Sequence, residues 1–448
     1  MLYRILRALV RLALKVYFRK ITVKGLEYVP KEGPIVMVSN HPSGYFDPLC
    51  ICAALNPKIS FLGKSTIFSN KLLSLIFENI NIVPVYRVKD DPNNKGKNDG
   101  MFLACYNKLA NKGLILIFPE GTSKSDRRLG SIKTGAARIA LGAARVNSYN
   151  LKPKLLPVGL NYSNSSKFRS HLRIEFGSPL ASEDYFDTFK NNEIKAVQDL
   201  TADIEDSMRS LIINIDKSEY EELVLKVEKM VNVKKLENNV SGTQSIYDAI
   251  IYYQKNNIEL YEQTKNKIDD YFINLDEMGI SDRSLQSISD IDNIWKYTLK
   301  TIVYAFLGFP IWLFGVIHGY PPYKIAKSIT PKVTDRREFY GAIGIMIGML
   351  SFLLLYSMYL LISWLIFHSI VITLAYLVVL PITAVFCLYY ARTVRKLYHN
   401  LKTSSKMFSA QQVLASLILD INDIVSDLEK IGTDFQSLDR DKFTLEKP

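Results

Sequence analysis

The sequence predicts an α/β domain, a mixed β-sheet flanked by helices, joined to a helical extension and C-terminal membrane helices. Three observations predict it. Between Pro34 and about Leu180, short apolar runs alternate with segments of helical periodicity, the pattern of strands and covering helices. From about Ala181 to Tyr297 the chain is polar and helical in period, with no strand signals. Three strongly apolar segments follow. Bulk properties agree: 48% hydrophobic residues beside 22% charged ones in 448 residues, with a mean hydropathy of +0.05, suit a soluble part joined to a membrane part. The net charge of +12 favours anionic partners. Basic residues cluster beside the apolar spans, so the expected partner is a lipid bilayer and no nucleic acid.

The first element, "MLYRILRALVRLALKVYFRK", places Arg4, Arg7, Arg11 and Lys15 on one helical face, with Leu2, Leu6, Leu9, Ala13 and Val16 largely opposite. No uninterrupted apolar core or small-residue cleavage site follows, which argues against export. Residues 1–20 are expected to form an amphipathic helix lying among lipid headgroups. An α/β domain is expected over 21–180. Its strands are "PIVMVSN", "ISFLGK", "NIVPVYR", "GLILIFPEG", "KLLPVGLNY" and "HLRIEFG". Its helices are "FDPLCICAAL", "NKLLSLIFENI", "GMFLACYNKLANK" and "TGAARIALGAARV". Residues 181–297 form the helical extension.

Membrane segments are expected over 298–392. "YGAIGIMIGMLSFLLLYSMYLLISWLIF" and "SIVITLAYLVVLPITAVFCLYY" are each long enough to cross a bilayer, about 20 apolar residues being sufficient. Arg336 and Arg337 precede the pair and Arg392, Arg395 and Lys396 follow it. These flanks predict a hairpin with both ends cytoplasmic and its turn near His368. The earlier segment, "LKTIVYAFLGFPIWLFGVIHG", has basic residues beyond both ends and is expected to be re-entrant or interfacial, bent at Pro310. Residues 393–448 carry an amphipathic helix and a polar tail. The four cysteines have no metal-ligand spacing and are expected to be reduced thiols.

The chemistry is concentrated at the strand ends, where α/β sheets place their sites. His41, one of only five histidines, ends a strand. Pro42, Ser43 and Gly44 make a turn, and Asp47 opens a helix. That arrangement can return a carboxylate to one imidazole nitrogen, leaving the other to take a proton. Equally, Asp47 alone would cap its helix. Arg87 lies just beyond "VPVY", where a fixed cation can hold a phosphate. "FPEGTS" ends a strand in Pro119, Glu120 and Gly121, and "LLPVGLNY" carries Pro157 and Gly159.

The ordered set "NHPSGYFD", "VPVYR", "FPEGTS" and "LPVGLNY" resembles the four blocks of the phospholipid/glycerol acyltransferase family over roughly residues 20 to 215. The resemblance implies a glycerol-3-phosphate acyltransferase-like fold. It also implies acyl transfer from a coenzyme A or acyl carrier protein thioester, a co-substrate, to a hydroxyl of a glycerol phosphate, with no cofactor. In its terms His41 is the base and Asp47 orients it. Arg87 grips the acceptor phosphate; apart from the resemblance, Lys64 or Lys133 could add charge there, although plain surface solvation is the expectation for both lysines. Glu120, Gly121 and Ser123 line the acceptor site, and Pro157 falls in the block associated with the acyl donor. Most of the family places four residues between its His and Asp. Here five intervene, Pro42 to Phe46, a form similar to the branch that includes fungal glycerol-3-phosphate and dihydroxyacetone-phosphate acyltransferases. The branch also shares trailing membrane segments and a "YPPYK" loop. The first acylation, on the sn-1 hydroxyl of glycerol 3-phosphate, is therefore the expected reaction, giving lysophosphatidic acid for phospholipid synthesis.

Two alternatives stand beside it. One is a 1-acylglycerol-3-phosphate acyltransferase with a lysophospholipid acceptor. The other is a non-catalytic lipid-binding or scaffold protein, for which a base beside a phosphate clamp would be idle. A transporter is excluded by the lack of repeats and intramembrane charges. No metal ligands cluster, and a homo-oligomer is compatible with the sequence. Deleting 299–390 is expected to release a soluble fragment that is impaired on long-chain donors.

Overall fold

A computed structural model describes residues 2–65, 82–85, 97–231, 240–280, 291–409 and 411–437. They divide into two units: 1–216 with 330–345, and 217–329 with 346–448.

In the first unit, helix α1 (Leu2–Tyr17) leads into β1 (Lys20–Lys24), β2 (Ile35–Ser39), α2 (Phe46–Ala54), β3 (Ile59–Lys64) and β4 (Ile82–Val85). Then come α3 (Lys97–Ala110), β5 (Leu114–Ile117), α4 (Gly135–Val146), β6 (Lys154–Tyr162), β7 (His171–Phe176) and β8 (Leu180–Ala181). The strands form one sheet in the order β1-β7-β6-β2-β5-β3-β4, with β8 on β6. Every pairing is parallel except those of β6 with β7 and β8. This is the mixed sheet the alternating pattern predicts. Central strand β2 is buried at all five positions, as a strand covered on both faces must be. Its side chains alternate between two cores. Val36 and Val38 join α3, α4 and later helices, while Ile35 and Met37 join α1 and α2. Small residues let α4 sit close to its neighbour, and a Cβ on Gly142 would meet the Tyr106 hydroxyl at 2.1 Å.

Three features depart from the expected domain limits. Helices α5 (Phe186–Asn191) and α6 (Glu193–Arg209) belong to the α/β unit, because the inner face of α6 buries Ala196, Val197, Leu200, Ile204 and Met208 in the sheet core. The extension thus begins after residue 216, not at 181. Residues 2–18 are also part of this unit: Leu14, Tyr17 and Phe18 are buried in it. Two residues of the basic face of α1 bond to its own unit: Arg11 donates to the carbonyls of Ala53 and Leu55 at 2.8 and 3.1 Å and Arg7 to that of Asn56, while Lys15 is exposed. The two arginines cap the exposed carbonyls at the end of α2. Leu9, Leu12 and Val16 are large apolar residues left exposed on this helix. Finally, β1 was not among the expected strands. The expected helix over 70–80 lies outside the described residues.

The second unit contains α7 (Glu221–Met230), α8 (Val240–Asn256), α9 (Ile258–Glu277), most of α10 (Ile291–Val333), most of α11 (Arg337–Phe367), α12 (Ile370–Ser409) and α13 (Gln411–Ser437). The amphipathic face of α13 is buried: Leu414, Leu417, Ile421 and Ile424 pack with residues of α7 and α9. The three apolar helices, over Thr298–Val333, Arg337–Phe367 and Ile370–His399, are long and apolar enough to cross a membrane. The hairpin turn falls at His368, which adopts φ 44°. The first apolar segment corrects its expectation, since α10 runs as one helix through Pro310 for 43 residues. Proline removes one hydrogen bond, and close packing supports the helix around it. A Cβ on Gly308 would meet the Tyr390 ring at 2.8 Å, and one on Gly315 the Cys387 sulfur at 2.6 Å.

Candidate active site

Strand register assembles the site. Val38 of β2 lies beside Ile117 of β5 and beside Pro157 of β6. His41 and Glu120, each three residues further on, therefore emerge next to each other at the carboxyl ends of parallel strands. The His41 amide donates to Glu120 Oε1 at 2.8 Å, and the Gly130 amide donates to Oε2 at 3.0 Å. Glu120 thus ties the turn after β2 to the loop after β5. Burial pushes the Glu120 carboxyl above its ordinary range, and these two donors partly oppose that shift. Asn40 performs a similar tie on the other side. Its amide exchanges two hydrogen bonds with the Leu160 backbone, 3.0 and 2.8 Å, extending the ladder by one side chain.

His41 Nδ1 stands 2.8 Å from Asp47 Oδ2. The same oxygen accepts the Ser43 amide at 2.8 Å, and Oδ1 accepts the Tyr162 hydroxyl at 2.8 Å. Asp47 is fully buried and the imidazole is 19% exposed. Three donors on one buried carboxylate satisfy its oxygens and hold it in place. With Nδ1–H committed to Asp47, the tautomer leaves Nε2 as the acceptor facing the site. The ring is held from below by Phe118, stacked at 4.0 Å and 15°. The extra residue between His41 and Asp47 does not prevent their contact.

The turn itself is shaped by glycine. Gly44 has φ 48°, and a Cβ there would meet the Phe339 ring at 2.4 Å. Phe339 comes from the start of α11, which packs on this turn. It stacks on Tyr45 at 5.0 Å, and the Ser43 hydroxyl lies 3.4 Å from the Glu338 carbonyl. A Cβ on Gly341 would strike the Phe46 ring, so the two helices touch backbone to ring.

Of the other expected site residues, Gly121 adopts φ 70° beneath Lys133, whose amine would lie 2.9 Å from an added Cβ. Ser123 is buried in the same loop, beside Lys124, whose amide donates to the His41 carbonyl at 3.2 Å. Pro157 is different. It does not end a strand but sits buried in the middle of β6, level with Val38, and the fold does not bring it to the imidazole. Lys64 ends β3. Arg87 lies outside the described residues. Tyr162, Phe118, Asn40 and Phe339 were not singled out from the sequence, although the first three stand inside or beside the quoted blocks. Among the described residues no group of three or more His, Cys, Asp or Glu side chains could hold a metal ion.

The pair sets an imidazole against a buried carboxylate at the carboxyl ends of the central strands, an arrangement chemically suited to activating a hydroxyl. Residues 20–161 match the family model described as Acyltransferase. The match places the domain over 20–161 with the phospholipid/glycerol acyltransferases. It is 26% identical over 194 residues to glycerol-3-phosphate O-acyltransferase 2 of Saccharomyces cerevisiae, covering 43% of this chain and 26% of that one. It is 33% identical over 124 residues to a chloroplastic 1-acyl-sn-glycerol-3-phosphate acyltransferase of Arabidopsis thaliana, covering 28% and 33%. The chain therefore spans about a quarter to a third of the length of these curated relatives. The crystal structure of the 1-acyl-sn-glycerophosphate acyltransferase of Thermotoga maritima aligns over 47% of this chain and 79% of that one, with a TM-score of 0.34 and 16% identity.

Proposed function

We propose that the protein transfers an acyl chain from a coenzyme A or acyl carrier protein thioester to the sn-1 hydroxyl of glycerol 3-phosphate, giving lysophosphatidic acid. The observation that carries this reading is the 2.8 Å contact of His41 Nδ1 with buried Asp47, which leaves Nε2 to act on a substrate. An alcohol is a poor nucleophile near neutral pH. His41 removes its proton as the oxygen attacks the thioester carbonyl, and Asp47 stabilises the imidazolium that forms. The tetrahedral intermediate then collapses, the C–S bond breaks, and the imidazolium proton passes to the departing thiolate. General-base assistance of this kind contributes about 10²–10⁴-fold.

Support for the unacylated acceptor comes from the five residues between His41 and Asp47 and from the two yeast relatives, both named glycerol-3-phosphate O-acyltransferases. Support for a 1-acyl acceptor comes from the Arabidopsis relative. In either case Arg87 and Lys133 meet the acceptor phosphate, with Glu120, Gly121 and Ser123 shaping its surroundings. The apolar helices hold the catalytic domain on the cytoplasmic face of a bilayer, where the amphiphilic product belongs. The test is thiol release by the detergent-purified protein, given an acyl thioester with glycerol 3-phosphate or 1-acylglycerol 3-phosphate, beside His41→Ala. Faster release with glycerol 3-phosphate supports the reading, faster release with the 1-acyl acceptor selects the alternative, and wild-type rates from His41→Ala remove the base.

A further inference from the structure

We infer that Tyr162 is a positioning residue of the acyl-transfer site, a third member of the His41–Asp47 pair that sets the dyad's protonation midpoint through its hydroxyl. The inference rests on the function proposed above for its kinetic part and on geometry for the rest. Tyr162 is the last residue of β6. Two residues earlier, Leu160 is locked to Asn40 by paired hydrogen bonds, so the end of β6 has a fixed position relative to the catalytic turn. From there the phenol donates to Asp47 Oδ1 at 2.8 Å, and its ring packs against Phe18 at 5.8 Å between centroids.

The division of donors on Asp47 gives this bond its meaning. Oδ2 is shared by His41 and the Ser43 amide, and Tyr162 supplies the donor on Oδ1. A carboxylate held on one oxygen alone can swing about its Cβ–Cγ bond. One held on both presents Oδ2 to the imidazole in a single plane. The hydroxyl also disperses the negative charge that His41 feels. Burial and the adjacent Asp47 charge push the Tyr162 phenol well above its usual range, so it remains a donor at neutral pH and well above it.

Loss of the hydroxyl makes the unprotonated dyad less stable. Its first proton is then taken up more readily whether it settles on Asp47 or on His41, and the midpoint rises in both cases. The other titratable groups around the dyad stay in place: Cys50 of α2, 3.6 Å from the Tyr162 hydroxyl, Glu120 and Lys124 of the loop after β5, and Glu338, paired with Arg336 at the start of α11. One hydrogen bond to a charged group corresponds to a shift of about one to two pH units.

The experiment uses the full chain in detergent, labelled with ¹⁵N-histidine and assigned against His41→Gln. Titration of the His41 imidazole requires no substrate, so its outcome is independent of the acceptor and of acyl transfer itself. Tyr162→Phe is expected to raise the midpoint by about one to two units. Incorporation of 3-fluorotyrosine at 162, a stronger donor in the same shape, is expected to lower it. In turnover, Tyr162→Phe moves the acid limb upward by the same amount and lowers plateau kcat about tenfold, with both KM values unchanged. An unmoved midpoint in Tyr162→Phe overturns the inference. Should that variant not fold, an unmoved midpoint with 3-fluorotyrosine overturns it.

Discussion

Asp47→Asn isolates the charge of the dyad from its shape. The amide is nearly isosteric, and its oxygen can still accept from Ser43 and His41 while the amide nitrogen faces a rotated Tyr162 hydroxyl. What is lost is the attraction between carboxylate and imidazolium. With Nδ1 and Oδ2 at 2.8 Å, the charge centres lie roughly 4 Å apart, and at an effective dielectric of about 20 that attraction is about 4 kcal/mol. Because the imidazolium forms only as the hydroxyl is deprotonated, the whole of it counts against the barrier. At about 1.4 kcal/mol per decade, kcat should fall about 10³-fold. The assay is thiol release at saturating donor and acceptor, with the melting temperature in detergent showing that the variant is folded. A folded Asp47→Asn protein within about tenfold of wild-type kcat would refute the electrostatic role and leave Asp47 as an acceptor that fixes the Ser43 turn.

Gly44→Ala should be costly twice over. A left-handed residue other than glycine costs about 1–2 kcal/mol, and its Cβ meets Phe339 at 2.4 Å; adding Phe339→Ala should restore part of the lost stability but not all, as thermal melts would show. Lys133→Ala should raise the acceptor KM and leave the donor KM and the melting temperature near wild type, because the amine is exposed over Gly121. For Glu120 the sign of the pH effect follows from burial, which raises its folded-state value. The stability it contributes is complete below the unfolded glutamate value and lost as pH rises through the folded one. The melting-temperature gap between wild type and Glu120→Gln should therefore shift against wild type as pH increases across that window, and a shift in its favour would refute the assignment.

Much of the fold was legible because the central strands and their helices carry strong local patterns. "IVMVS" and "LILI" can hardly be anything but buried strands, and the residues that follow them are the site. Other features depend on partners far along the chain. Strand β1, "KITVK", has charged ends and is stabilised by pairing with β7, some 150 residues on. Helix α6 looked like part of the polar extension because its outer face is charged, while its buried face, Ala196 to Met208, carries small and apolar residues in modest number. Arg7 and Arg11 had the spacing of a lipid-facing stripe, yet the carbonyls at the end of α2 supplied a nearer partner. At the site, local order left the pairing of His41 with Asp47 and a simple helix cap equally open, and the resemblance of the four blocks selected the pairing. Tyr162 and Phe339 were not legible, since nothing local distinguishes a phenol that meets a carboxylate from one that fills a core.

Residues 330–345 belong to the same unit as the catalytic turn, although they lie between apolar stretches of the chain. A protease or a deletion that removes everything from 299 to 390 would therefore do more than take away apolar helices. It would strip Phe339 from Gly44 and Tyr45, and the carbonyl of Glu338 from Ser43. A trimmed enzyme that keeps its turnover would need this sixteen-residue piece returned, spliced in or supplied as a peptide. Loss of turnover after such a cut would then report a dismantled active centre before it reported anything about lipid.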